Sequence, residues 1–296
     1  MSAIAAPLNA STHRRVVSSP WRDAWRRYRR NRMALAGGVV VVLILSMALF
    51  APILAPQGYE YSNLAQTLQG PTMQHWLGTD EVGRDLLARV IWGARTSMTV
   101  GFLVPVIGTL IGLPIGALAG WFGGKIDFVT LRLLEAMAAL PSILVAILLV
   151  TLYGSGLLQV TLFLGVTSWV GIARLTRAQF ISLRDREFVV AARAIGTPPW
   201  RIIIQHILPN AAGPIIIVFV LAIPGAVFGE AGLSFLGLGV QDPIPSWGKM
   251  ITEGGQYMQV APILGLVPML CIALTMLSFS FVGDGLRDAL DPNALE

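Results

Sequence analysis

Six stretches of this chain are too apolar to be at home in water, and each is close to the length a helix needs to cross a bilayer. They occupy residues 33–55, 96–120, 128–152, 157–180, 211–229 and 258–282. A spanning helix takes about 20 residues at a rise of about 1.5 Å each. Backbone groups in hydrocarbon must satisfy one another, so runs of this length predict helices rather than open strands. The composition agrees: 55% of the 296 residues are hydrophobic and 12% are charged, against about 25% charged in soluble domains. The expected fold class is therefore an all-α integral membrane protein with six transmembrane helices. The 31 glycines and 18 prolines suit close-packed, kinked membrane helices.

Charge placement gives an orientation. Of 21 basic residues, all are arginine except Lys125 and Lys249. A cytoplasmic N-terminus puts seventeen on the cytoplasmic side and leaves Arg84, Arg89, Arg95 and Lys249 outside, the bias expected of a multi-pass protein. The boundaries that follow are a basic cytoplasmic tail over 1–32, a first helix over 33–55, an extracytoplasmic segment over 56–95, a five-helix core over 96–283 and a cytoplasmic tail over 284–296. The first tail holds Arg14, Arg15, Arg22, Arg26, Arg27, Arg29, Arg30 and Arg32 with Trp21, Trp25 and Tyr28 interleaved. From Trp21 to Arg32 it reads as a basic, aromatic helix lying on membrane lipid, not as a nucleic-acid binder, because a spanning run begins at once. That run is too long for a signal-peptide core and lacks a clear cleavage site. The single cysteine, Cys271, lies in an apolar run and supports neither an intrachain disulfide nor a cysteine metal site.

The polar interruptions carry the function. Within the segment 184–209, residues 187–209 read as helix, turn, helix: Ala191 to Ile195 favour helix, Gly196 suits a left-handed C-terminal residue, and Thr197 is a candidate N-cap with Pro198 at the first helical position. Pro209 marks a hinge into the next apolar run. Paired alanines at Ala191 and Ala192, Gly196, and Leu208 before Pro209 resemble the "EAA" signature of ABC-transporter permease subunits. Val190 stands where that motif's Glu falls, with Glu187 one turn earlier, and His206 replaces a usual Ile. Residues 75–95, HWLGTDEVGRDLLARVIWGAR, resemble the hallmark of the C-type subunit of dipeptide and oligopeptide importers. Their alternating Asp80, Glu81, Arg84, Asp85, Arg89 and Arg95 read as a self-paired structural segment, with Asp80 or Asp85 capping the next helix. His75 and Asp80 lack a third ligand, so no metal site is expected. Residues 230–250 and 282–292 also match the family, the latter as a short amphipathic helix.

Two carboxylates lie within apolar runs. Glu135 stands three residues after Arg132, a spacing that lets them pair before Pro141 kinks the helix, either as a structural pair or as a gate. Glu230 reads equally as a solvated helix end or as part of a translocation path. Beyond it, Pro243 and Pro245 force an extended turn and Trp247 is expected to anchor at the outer interface.

No G-x-x-x-x-G-K-[ST] phosphate loop, H-E-x-x-H or correctly spaced nucleophile elbow occurs. A secondary transporter is the rival class, but Glu135 and Glu230 are nearly its only candidate relay groups. The resemblance spans about residues 20–292. It implies the permease fold of type I ABC importers, with residues 184–209 as the cytoplasmic coupling segment and Glu187, Ala191, Ala192, Gly196 and Pro209 at the ATPase contact. It also implies a homologous B-type permease, two ABC ATPase subunits that bind ATP and Mg, and an extracytoplasmic substrate-binding protein, in a bacterial or archaeal cytoplasmic membrane. The chain itself would hold no cofactor. The cargo implied is a dipeptide or oligopeptide, with nickel, glutathione or oligosaccharide systems as alternatives.

Overall fold

A computed structural model describes residues 20–290, and the secondary structure it shows there is helical apart from a lone bridge between Thr79 and Asp85. Arg14 and Arg15, with Asp291 and Pro292 of the second tail, lie outside the described residues. In chain order the helices are α1 (Pro20–Tyr28), α2 (Arg32–Leu49), α3 (Ala51–Leu54), α4 (Leu86–Phe122), α5 (Gly124–Ala139), α6 (Ser142–Tyr153), α7 (Leu157–Arg184), α8 (Glu187–Ala194), α9 (Pro199–Ile202), α10 (Leu208–Phe235), α11 (Trp247–Gly255) and α12 (Ile263–Leu290). A wide π turn over Ile203–Ile207 joins α9 to α10.

Among the described residues five continuous helices are long and apolar enough to cross a membrane: α2, α4, α7, the α9–α10 rod and α12. The sixth crossing is broken. Pro141 supplies no backbone donor, so α5 stops at Ala139 and α6 restarts beyond it, the two bent by 80°. Asp127, near the start of α5, is gripped by Arg177 near the end of α7. Ser155, just past α6, accepts a hydrogen bond of 2.6 Å from Gln241, just past α10. The bent pair is thus tied to both faces and makes one net crossing.

The centre of the bundle is α4 against α7. Along α4, Gly108, Gly112, Gly116 and Gly120 recur every four residues and form one stripe. A Cβ at Gly112 would lie 2.5 Å from the carbonyl oxygen of Trp169, and one at Gly116 2.4 Å from that of Ala173. The two backbones therefore touch. In lipid no hydrophobic drive separates helix from solvent, so such close van der Waals approach is what holds helices together. Ser168 adds a hydrogen bond of 3.2 Å from α7 to the Val104 carbonyl on α4. Gly37 on α2 makes a similar approach to the Ser278 carbonyl on α12, at 2.7 Å for an added Cβ.

Among the departures from the sequence reading, three have a clear local reason. Helix α4 begins at Leu86, ten residues before its apolar run, because the Asp85 carboxylate caps it by accepting from the Ala88 N–H at 2.7 Å. The tail from Val282 is no separate helix but the last turns of α12. Trp247 is no interfacial anchor: it is fully buried, with its indole N–H donating to the Val90 carbonyl at 3.1 Å and its backbone N–H to Ser97. Gly248 lets it enter, since a Cβ there would lie 2.3 Å from the Cα of Ala231.

Candidate functional site: a docking face and a buried polar relay

Helix α8 ends in a full Schellman motif. The Gly196 N–H donates to the Arg193 carbonyl at 3.0 Å and the Thr197 N–H to the Ala192 carbonyl at 3.1 Å. Gly196 takes φ of 77°, and a Cβ there would meet nothing within 4 Å, so the glycine serves the turn and not a close contact. The N-cap of α9 is Pro198 with Pro199 following, one residue later than Thr197 and Pro198 were expected to act.

Helix α8 is two-faced. Val189 and Ala192 point inward onto Phe180, Ile202, Ile207 and Ala211. Ala192 is therefore a packing residue and not part of an outer contact surface. Glu187, Phe188, Val190 and Ala191 point outward, and the outer strip continues through Ile195, 82% exposed, to Trp200 and Ile204. The exposure of Ile195 and Trp200 was not anticipated; the signal was large apolar side chains at the turn of an otherwise basic segment. Arg193 lies over the Trp121 ring at 4.6 Å and fixes α8 to the end of α4.

Pro209 does not act as a hinge. The rod from Pro199 to Phe235 is one helix, and the π turn just before Pro209 accommodates it. There the Leu208 N–H reaches back five residues to the Ile203 carbonyl. Widening by one residue relieves the clash a proline ring makes with the carbonyl four residues earlier.

The two carboxylates fare differently. Arg132 and Glu135 form an ion pair of 2.7 Å with both side chains largely exposed, and the guanidinium also covers Phe128. Glu230 does not end a helix: it lies inside α10 with no exposed surface. Its Oε1 accepts from the hydroxyls of Ser234 and Ser246, both at 2.7 Å, while Oε2 meets no donor among the described residues. Ser246 also caps α11, accepting from the Lys249 N–H at 3.2 Å. Glu230 thus joins α10 to α11 as a structural relay.

At the face opposite α8, the charges of 75–95 pair among themselves and with α11. Asp80, 1% exposed, accepts from Arg84 Nε and Arg89 Nη1, each at 2.6 Å. Arg89 also donates to Glu253 at 2.8 Å. His75 sits between Asp85 and Gln66, at 2.9 and 3.3 Å. Burial pushes the Glu81 carboxyl above its ordinary range, whereas the Lys249 ammonium beside Asp242 holds that carboxyl below it. Among the described residues no three His, Cys, Asp or Glu side chains converge as a metal ligand set.

Glycine-packed crossings and one rigid, partly apolar strip outside them define a polytopic membrane subunit of the permease class. The chain belongs to the family of binding-protein-dependent transport system inner membrane components, whose model matches residues 112–295. The N-terminal transmembrane domain of oligopeptide transport permease C matches residues 19–71. Among relatives, it is 42% identical over 274 residues to the dipeptide transport system permease protein DppC of Alkalihalophilus pseudofirmus, covering 93% of this chain and 90% of that protein. It is 40% identical to the oligopeptide transport system permease protein OppC of Bacillus subtilis, with the same coverage. It is 39% identical to the glutathione transport system permease protein GsiD of Pectobacterium atrosepticum, covering 93% and 92%. A chain of the inward-facing MetNI methionine ABC transporter shares the fold, with a TM-score of 0.58 at 18% identity over 70% of this chain and 98% of that one.

Proposed function

We propose that this chain is one of two permease subunits in an ATP-driven importer of dipeptides or oligopeptides. It forms half of the pathway, and its outer strip from Glu187 to Ile204 docks on a cytoplasmic ATPase. The observation that carries this reading is the strip itself: Phe188, Val190, Ile195 and Trp200 are exposed along α8, α9 and the turn between them, which two Schellman hydrogen bonds lock. Large apolar groups held rigidly outside the bundle suit a protein partner. The seventeen-to-four split of basic residues supports a cytoplasmic position for both described ends and for α8.

ATP and Mg belong, in this reading, to the two ATPase subunits, since the chain carries no phosphate loop. A B-type permease completes the pathway and an extracytoplasmic binding protein delivers cargo. The names of the relatives favour peptides, with glutathione as the alternative cargo. The test is co-purification of the ATPase with Ala191→Arg, which places a long charged chain on the outer face, alongside uptake of labelled dipeptide. Loss of both with normal membrane expression is expected. Normal ATPase binding and uptake in Ala191→Arg would remove the strip from the mechanism.

A further inference from the structure

The ion pair of Arg132 and Glu135 lies where an exposed ion pair should not be. Leu134, between them in the chain, is fully buried in one cluster with Trp169 and Ala173 of α7. Both of those residues lie about 16–24 Å from each end of α7, at about 1.5 Å per residue. That is near the middle of a bilayer about 40–45 Å thick. Yet the side chains of Arg132 and Glu135 are 67% and 57% exposed. Arg174, the residue after Ala173, is exposed as well. Hydrocarbon does not solvate such groups, so charged side chains at this depth face a protein interior or a water-filled cavity.

The pair itself points to water. Among the described residues the Arg132 guanidinium donates one hydrogen bond, to Glu135. A second permease pressed flat on this face would have to supply acceptors for the N–H groups left free, whereas water supplies them without a matched surface. Phe128, Arg132, Glu135 and Ala139 are all exposed and recur at helical spacing, so they form one face of α5 leading up to the break at Pro141.

We infer that this face of α5 lines a water-filled route through the membrane, and that Arg132 and Glu135 meet charged groups of a peptide passing along it, Arg132 its carboxylates and Glu135 its ammonium groups. The cargo contact rests on the transport reading; the wet face needs only that the helices span.

The test uses the assembled importer in its native membrane, opened so that both faces are reached. In a Cys271→Ser background, Ala139→Cys leaves the pair intact and is expected to react with a charged methanethiosulfonate, which attacks thiolates in water. No reaction would mean that lipid or a second permease covers the face, and would overturn the route. Uptake of labelled alanyl-glutamate and alanyl-lysine is then compared in right-side-out vesicles. Arg132→Gln is expected to move the uptake ratio about fivefold toward alanyl-lysine, and Glu135→Gln about fivefold toward alanyl-glutamate. A purely structural pair would lower both uptakes alike, so unchanged ratios would overturn the cargo contact. Should the unaltered importer take up neither dipeptide, the peptide-transport reading and the cargo contact fall together, and the thiol reaction still decides whether the face is wet.

Discussion

Asp80 accepts four hydrogen bonds, from the backbone N–H groups of Val82 and Arg84 and from the guanidinium groups of Arg84 and Arg89. Both Asp80 and Arg89 are almost wholly buried, so removing Asp80 leaves Arg89 with Glu253 as its one carboxylate partner and Arg84 with its close pair broken. Asp80→Ala is expected to cost about 3–5 kcal/mol, read as a lowered melting temperature of the purified chain in detergent. Replacing both, as Asp80→Leu with Arg89→Met, should cost less than the two single changes together, because the closest buried pair is removed as a unit. Glu230 makes a different demand. Glu230→Gln keeps an acceptor for both serine hydroxyls and should melt close to the unaltered protein. Glu230→Leu leaves Ser246 without its acceptor and should cost about 1–3 kcal/mol. A Glu230→Leu protein as stable as Glu230→Gln would remove the relay from the account of the fold.

Among the elements, the pairing of α4 with α7 is the one most dependent on absent side chains. Gly112→Leu must push Trp169 away, and the expected loss is about 1–3 kcal/mol or more, seen as reduced yield of folded protein and a lower melting temperature. Gly196→Trp, by contrast, meets open space and pays only for its left-handed backbone, about 1 kcal/mol, so the bundle should stay folded. The helical runs, the Gly196 turn, the break at Pro141 and the pairing of Arg132 with Glu135 were legible because each is decided within a few residues. Burial was not. The inward turn of Ala192 depends on Phe180 and Ile207, the enclosure of Glu230 on Ser246 sixteen residues away, and the burial of Trp247 on Gly93 and Val90 of another helix. An indole beside two prolines looks interfacial until the helix that covers it is known. The start of α4 lies ahead of its apolar run, and Asp85, which fixes it, was one of the two caps legible in the sequence; the burial of Arg89 in the first turn was not, because it depends on Asp80 and on Glu253 of α11.

For the molecule as a whole, the proposed orientation makes an opposite pair of expectations. In a Cys271→Ser background, a cysteine at Ser62 should react with an impermeant thiol reagent applied to intact cells, and a cysteine at Ser182 should react only after lysis; both positions are exposed. The reverse pattern would place α8 outside the cell and end the ATPase-docking reading. The glycine stripe of α4 also bears on biogenesis. Its partner on α7 is not complete until about 60 residues after α4 has been made, an interval of about 3–12 s at ordinary translation rates. During that time α4 stands in the bilayer with its stripe facing lipid. The nascent chain is therefore at its most vulnerable to quality-control proteolysis after α4 has inserted and before α7 arrives.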